Sequence, residues 1–165
     1  MKKFFISYRR DDTKWQAKAV YDALARRVKH PKKNIFYDLD SMTVGRNFRK
    51  QIDASVAQCD AVIVMIGPEW LDTRDKSSGE RRLDDPRDFV RVEIASALKR
   101  DIPVVPVLVD GVNVPSADHL PEDIRELSER HGVALHAESF EKDIDALVRG
   151  LLVQKQGEAP EDADE

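Results

Sequence analysis

The sequence predicts an α/β domain built on an open parallel sheet with helices packed on both faces. Segments rich in β-branched and aromatic residues alternate with segments of helical spacing along the chain. One of the former, Asp60-Ala61-Val62-Ile63-Val64-Met65-Ile66, is a continuous apolar run closed by Gly67-Pro68, the form of a central strand buried on both faces. A length of 165 residues with 41% hydrophobic content gives room for one domain with a sizeable core, and a second would be cramped. In such a sheet, ligands sit beyond the carboxyl ends of the strands, near the switch in strand order.

Lys3 to Tyr8 is short, aromatic and β-branched, so it reads as a strand, and the polar run Arg9-Arg10-Asp11-Asp12-Thr13 reads as the loop after it. Trp15, Ala19, Val20, Leu24 and Val28, with Ala23 between them, keep helical spacing until Pro31 stops the helix. Asn34 to Tyr37 is the next strand, ended by Asp38. The stretch from Asp38 to Phe48 is a loop that exposes Met42 and Val44 beside Gly45 and Arg46. A helix follows through Ile52 and Val56, then the central strand. Asp72 to Asp85 is polar and aperiodic, a long surface loop placed to gate whatever lies beside it. The next helix has Asp85 as N-cap, Pro86 at its first position, and Lys99 and Arg100 in its last turn. Ile102 to Val109 is a fourth strand, although Pro106 must leave one ladder position unpaired. Asp118 to Arg130 reads as a helix, Gly132 to His136 as a short last strand, and Glu141 to Val153 as a final helix with Ile144, Leu147, Val148 and Leu151 in register.

Composition narrows the function classes. No apolar run approaches 18 residues, and Met1-Lys2-Lys3 leads straight into a strand, so a cytoplasmic protein without a membrane partner is expected. The single cysteine, Cys59, excludes an intrachain disulfide and a multi-cysteine metal site, and it reads as a packing residue. The four histidines are scattered without metal-binding spacing, so neither a metal nor a resident cofactor is implied. The net charge of −4 hides a split: five acids and no base follow Lys155, giving an acidic, disordered tail over 155–165 and a nearly neutral domain over 1–154. That body argues against nucleic-acid binding through a broad basic surface.

Glu93 is the residue out of place. Val90, Ile94, Ala97 and Leu98 fall on one side of their helix, and Phe89, Glu93 and Ala97 form the adjoining row, so a carboxylate borders the apolar stripe. It is either a rim residue paired with a cation or a group held half-desolvated for chemistry. Tyr8-Arg9-Arg10 after the first strand and the Asp38-to-Phe48 loop after the second could line one cleft with it.

Phe5-Ile6-Ser7-Tyr8-Arg9-Arg10, the Asp38-to-Phe48 loop with Gly45, and Phe89-x-x-x-Glu93-Ile94 followed by Ile102-Pro103-Val104-Val105-Pro106 resemble a TIR (Toll/interleukin-1 receptor) domain of the bacterial-type, NAD-cleaving subgroup. Three separated motifs occur in order, over about Lys3 to Leu152. The resemblance implies a flavodoxin-like five-stranded sheet of order 2-1-3-4-5. It also implies either an NAD+ glycohydrolase, releasing nicotinamide and ADP-ribose or its cyclic form, or a non-catalytic adaptor acting through homotypic TIR contacts in signalling or innate immunity. Glu93 falls at the catalytic glutamate of the NAD-cleaving members. Tyr8, Arg9, Arg10, Asp38 and Phe89 fall among substrate-contacting positions, and Met42, Val44, Gly45, Arg46 and Phe48 in a loop used for self-association. Phe89 stands where enzymatic members often carry tryptophan. The alternative for Arg9 and Arg10 is a solvated loop paired with Asp11 and Asp12, and for Arg46 and Phe48 a loop ending at a helix start. A receiver domain would need an aspartate where Gly67 follows Ile66, and a flavodoxin a hydroxyl-rich loop where this chain has Arg9-Arg10-Asp11-Asp12.

Overall fold

The computed structural model describes residues 2–37 and 45–153. The expectations for Asp38, Met42, Val44 and the acidic 155–165 tail lie outside the described residues. In chain order the elements are β1 (Phe4–Ser7), α1 (Arg10–Ala25), α2 (Pro31–Asn34), β2 (Ile35–Phe36), α3 (Phe48–Ala57), β3 (Ala61–Ile66), α4 (Phe89–Lys99), β4 (Val104–Val109), β5 (Val133–Leu135) and α5 (Phe140–Val153). The strands are all parallel and ordered β2-β1-β3-β4-β5. The α/β sheet expected from the alternation, and the strand order implied by the family, are both present.

Strand side chains alternate between faces, and this divides the core in two. Phe4, Ile6, Ile63, Met65 and Val107 pack with Val20 and Leu24 of α1 and Leu147 and Val148 of α5. Phe5, Val62, Val64 and Ile66 pack on the other face with Ile52 and Val56 of α3 and Val90 and Ile94 of α4. Trp70, Leu83 and Ile124 complete that layer. Cys59 is buried in it, and burial pushes its thiol up to about 12, in keeping with a packing role.

Several boundaries differ from the sequence-based expectation. Helix α1 starts at Arg10, because the Arg9 carbonyl accepts the Asp12 and Thr13 amides at 3.1 and 3.0 Å, and Asp11 and Asp12 suit a first turn. Its buried row is Thr13, Ala17, Val20 and Leu24, so Trp15 points to solvent at 72% exposure instead of joining the stripe. Pro31 opens the single turn of α2, leaving β2 only two residues long. The Asp72-to-Asp85 stretch is ordered: Arg74 and Arg81 form an antiparallel bridge, Asp75 Oδ1 accepts the Ser77 and Ser78 amides, and a 3₁₀ turn at Arg82–Asp84 buries Leu83. The segment read as a helix from Asp118 to Arg130 is two 3₁₀ helices, Ala117–His119 and Glu122–Glu129, separated at Pro121. Ile124 and Leu127, three apart, are the residues that the second one buries, as its three-residue turn favours.

Pro106 sits inside a strand with neighbours on both sides. Val62 donates to the Pro103 carbonyl, so residues 103, 105 and 107 face β3 and Pro106 faces β5. The β5 ladder begins only at Val107, one residue past the missing donor.

Candidate active site

The site is organised by the start of α4. Its N-cap is Asp88, whose Oδ2 accepts the Arg91 amide at 3.2 Å. Asp85, the expected cap, instead turns the chain ahead of the helix: its Oδ1 accepts the Arg87 amide at 2.8 Å and its carbonyl the Asp88 amide at 3.0 Å. Pro86 therefore belongs to a turn and not to the first helical position.

Arg9 meets Asp88 in a two-fold bridge, Nη1 to Oδ1 at 2.9 Å and Nη2 to Oδ2 at 2.8 Å, with side chains 4% and 10% exposed. The pair spans from the loop after β1 to the cap of α4. Neither Asp11 nor Asp12 pairs with Arg9; Asp12 accepts the Gly67 and Glu69 amides at 2.9 and 3.0 Å, fastening α1 to the end of β3.

Glu93 is 3% exposed, so the rim alternative is excluded. Its Oε2 is buried without a hydrogen-bond partner, as are Ser7 Oγ, Arg9 Nε, Thr13 Oγ1 and Trp70 Nε1. Ser7 shares the sheet face of Phe5 and so lies on the α4 side. Burial pushes the Glu93 carboxyl up to about 8. The Ser7 hydroxyl opposes the shift from nearby, though its oxygen reaches no partner of good geometry; Asp88 adds to it and Arg9 opposes it. Unpartnered buried polar atoms are costly in folding and concentrate where function needs them.

A cleft of about 580 Å³ is lined by Tyr8, Arg9 and Arg10, by Asp85, Arg87, Asp88 and Phe89, and by Ser78, Glu80, Arg81 and Arg82; the buried Glu93 is not part of its lining. The structure thus brings Tyr8, Arg9, Arg10 and Phe89 together, with Glu93 following one turn beyond Phe89 on its row. Tyr8 stacks on Tyr37 with ring centroids 5.2 Å apart, and Tyr37 on Tyr21 at 4.9 Å. Phe89, 42% exposed, meets Phe48 at 5.1 Å, and Arg49 donates to the Pro86 carbonyl at 2.7 Å, so the start of α3 is tied to the start of α4. Gly45 and Arg46 are exposed just before, Gly45 with φ +83°. A larger groove, about 680 Å³, runs between α3 and α4 past Arg49, Asp53 and Lys99, away from Glu93 and the Tyr8-to-Arg10 loop.

Sequence reasoning missed Ser7 and Asp88. Asp88 was available as a capping residue type but shared that with Asp85, and nothing marked Ser7 until β1 was registered against β3. Among the described residues, no three His, Cys, Asp or Glu side chains are grouped to hold a metal.

A family model described as "TIR domain" matches residues 4–148. The chain belongs to the TIR family. This TIR domain is 26% identical over 153 residues to NAD(+) hydrolase sarm1 of Drosophila melanogaster, a match covering 92% of the chain and 10% of that protein. The chain therefore spans about a tenth of the length of the curated relative. Its fold is similar to the TIR domains of the activated Roq1 resistosome, with a TM-score of 0.65 at 14% identity over 92% of this chain and 99% of that one. A metazoan TIR-STING receptor from C. gigas, solved with 2',3'-cGAMP, gives a TM-score of 0.54 at 19% identity over 88% and 39% of the two chains. Among the described residues, no helix is long and apolar enough to cross a membrane.

Proposed function

We propose that this TIR domain is an NAD+ glycohydrolase that cleaves the nicotinamide–ribose bond, with Glu93 as its catalytic residue and NAD+ as substrate rather than resident cofactor. The carrying observation is Glu93 itself, a buried carboxyl with an unpartnered oxygen beside a cleft lined with arginines and an aromatic ring. The distant likeness to an NAD+ hydrolase supports the same reading.

The chemistry asks little of general acids. Nicotinamide leaves a cationic pyridinium as a neutral molecule, so its departure needs no proton, unlike that of an ordinary glycoside oxygen. A carboxylate in a dry pocket opposes the positive charge that grows on the ribose and holds a ribose hydroxyl. Glu93 is protonated below about pH 8 in the free domain, and the arriving pyridinium cation favours its ionised form. Phe89 offers a face to the nicotinamide and Arg10 a planar multiple donor to the pyrophosphate. Self-association, through the loop bearing Gly45 and Arg46, would complete an active assembly in cytoplasmic signalling or defence, as the TIR domains of the Roq1 resistosome are part of an assembly.

Purified protein incubated with NAD+ over a wide dilution series should release nicotinamide, with turnover per molecule rising with concentration. Glu93→Gln should lower turnover at least about a hundredfold while leaving the thermal transition in place. Equal turnover by the folded variant would sink the assignment, and no release at any concentration would leave an adhesive TIR module.

A further inference from the structure

We propose that Arg9 and Asp88 form a positioning pair, a buried two-hydrogen-bond bridge that sets the placement and electrostatic surroundings of Glu93. The inference rests on the glycohydrolase reading for its kinetic half only.

The geometry divides the two arginines. Both terminal nitrogens of Arg9 are committed to Asp88, and the side chain is 4% exposed. A guanidinium whose fork already holds a carboxylate cannot offer that fork to a pyrophosphate. Arg10 is exposed and lines the same cleft. The bridge also joins two helix starts: the Arg9 carbonyl accepts the first amides of α1, and Asp88 caps α4 five residues before Glu93. Glu93 therefore inherits its position from the bridge through about one and a half turns of α4.

The charges facing Glu93 are few. Strands β3 and β4, packed against α4, have no titratable residue. β1 contributes the Ser7 hydroxyl. From α3, Asp53 is engaged with Ser96 and Arg100, Arg49 with the Pro86 carbonyl, and Lys50 lines the α3–α4 groove; from the Glu122–Glu129 helix Asp123 is engaged with Arg91, Glu122 and Glu126 line the same groove, and Arg125 and Glu129 are exposed. The charges that act on Glu93 are those of Asp88 and Arg9, in opposite directions. While both are present they offset one another and burial dominates. Removing either one uncovers the other.

The test is the titration of the Glu93 carboxyl by carbon NMR, assigned with Glu93→Gln, in the wild type and in Arg9→Gln, Asp88→Ser and Arg10→Ala. Serine keeps the capping oxygen of position 88 while removing the charge. Arg9→Gln should move the Glu93 midpoint up, and Asp88→Ser should move it down, each by about a pH unit or more; Arg10→Ala should leave it in place. Generic loosening of the fold would shift both variants the same way, so opposite signs are specific to the pair. Where Arg9→Gln is too unstable to titrate, Asp88→Ser and Arg9→Lys carry the test: lysine keeps the charge but loses the fork, so its midpoint should stay while kcat falls. Kinetically, Arg10→Ala should raise KM for NAD+, and Arg9→Lys should lower kcat with KM little changed. Unmoved midpoints in Asp88→Ser, or a rise in KM for Arg9→Lys equal to that for Arg10→Ala, would overturn the proposal. The NMR arm reads out even from a protein that never cleaves NAD+, so the two readings fail separately.

Discussion

Helix α4 is held at each end by an arginine gripping an aspartate with two hydrogen bonds, and the two grips differ mainly in how much water reaches them. At the start, Arg9 and Asp88 are 4% and 10% exposed. At the end, Arg100 Nε and Nη2 reach the two oxygens of Asp53 at 3.0 and 2.6 Å, and these side chains are 42% and 46% exposed. The exposed bridge, Arg100 first and Ser96 second, pulls the Asp53 carboxyl down to about 2. Solvent screens it, so its effect on stability is small although it holds the shortest of the four contacts. The buried bridge is dangerous to break, because either partner alone is a desolvated charge. Distance is therefore a poor guide to importance here, and the depth of each pair decides which end of α4 is structurally committed.

The largest expected effect follows from that depth. Arg9→Ala should destabilise the domain by about 3–5 kcal/mol in chemical denaturation, because it strands Asp88 in the protein interior. A loss under 1 kcal/mol would show that the first end is solvated like the second. Next comes Glu93→Gln, whose effect depends on pH. Folding raises the Glu93 pKa from 4.5 to about 8, so this carboxyl contributes stability at acid pH and the contribution is lost as pH rises between those values. At pH 8 and above the glutamine variant should be more stable than the wild type by a few kcal/mol, roughly, and the two should converge toward pH 5. Parallel stability curves across that range would contradict a buried, proton-holding Glu93. Activity should show the converse, with kcat/KM climbing toward pH 8 as the free domain ionises.

Smaller effects sharpen the contrast. Phe89→Ala should reduce NAD+ turnover severalfold, and Phe89→Trp should retain or raise it, since the ring borders the cleft and a larger aromatic can still meet Phe48. The least change is expected from Arg100→Ala, which should lower the thermal midpoint by no more than about 2 °C. A drop like that of Arg9→Ala would mean the exposed bridge is shielded in a way its surface position does not suggest.

Much of this architecture was legible in the sequence because it rests on periodicity. The run from Ala61 to Ile66, closed by Gly67-Pro68, has the form of a strand covered on both faces, and the spacing of Ile144, Leu147, Val148 and Leu151 that of a helix face. Strand order came with the family resemblance, since periodicity carries no information about which strand lies next to which. Trp15 misled because its size outweighed its register: α1 presents small residues to the sheet, and a tryptophan two positions away falls outside the contact. Glu93 was visible as an acid beside an apolar stripe. Its partners were not, because Asp85 and Asp88 both precede helical residues and either could cap, and only the turn through Pro86 and Arg87 separates them. Arg9 and Arg10 are adjacent and identical in kind, and their division into a buried and an exposed residue follows from where β1 ends and α1 begins.

Gly67 links that division to the residue just past the end of β3. A methyl group there would lie 2.5 Å from Asp12 Oδ1 and 2.7 Å from Thr13 Cγ2, so α1 can approach the end of β3 this closely only because position 67 has no side chain. Asp12 is two residues past the point where Arg9 hands the chain to α1, and any retreat of that helix would drag the arginine with it. The domain behaves here as a lever: the absence of one side chain at this fulcrum fixes where a guanidinium stands at the end of the neighbouring strand β1. A Gly67→Ala protein should therefore be altered at Glu93, a residue it never touches, and its lesion would look catalytic while being mechanical in origin.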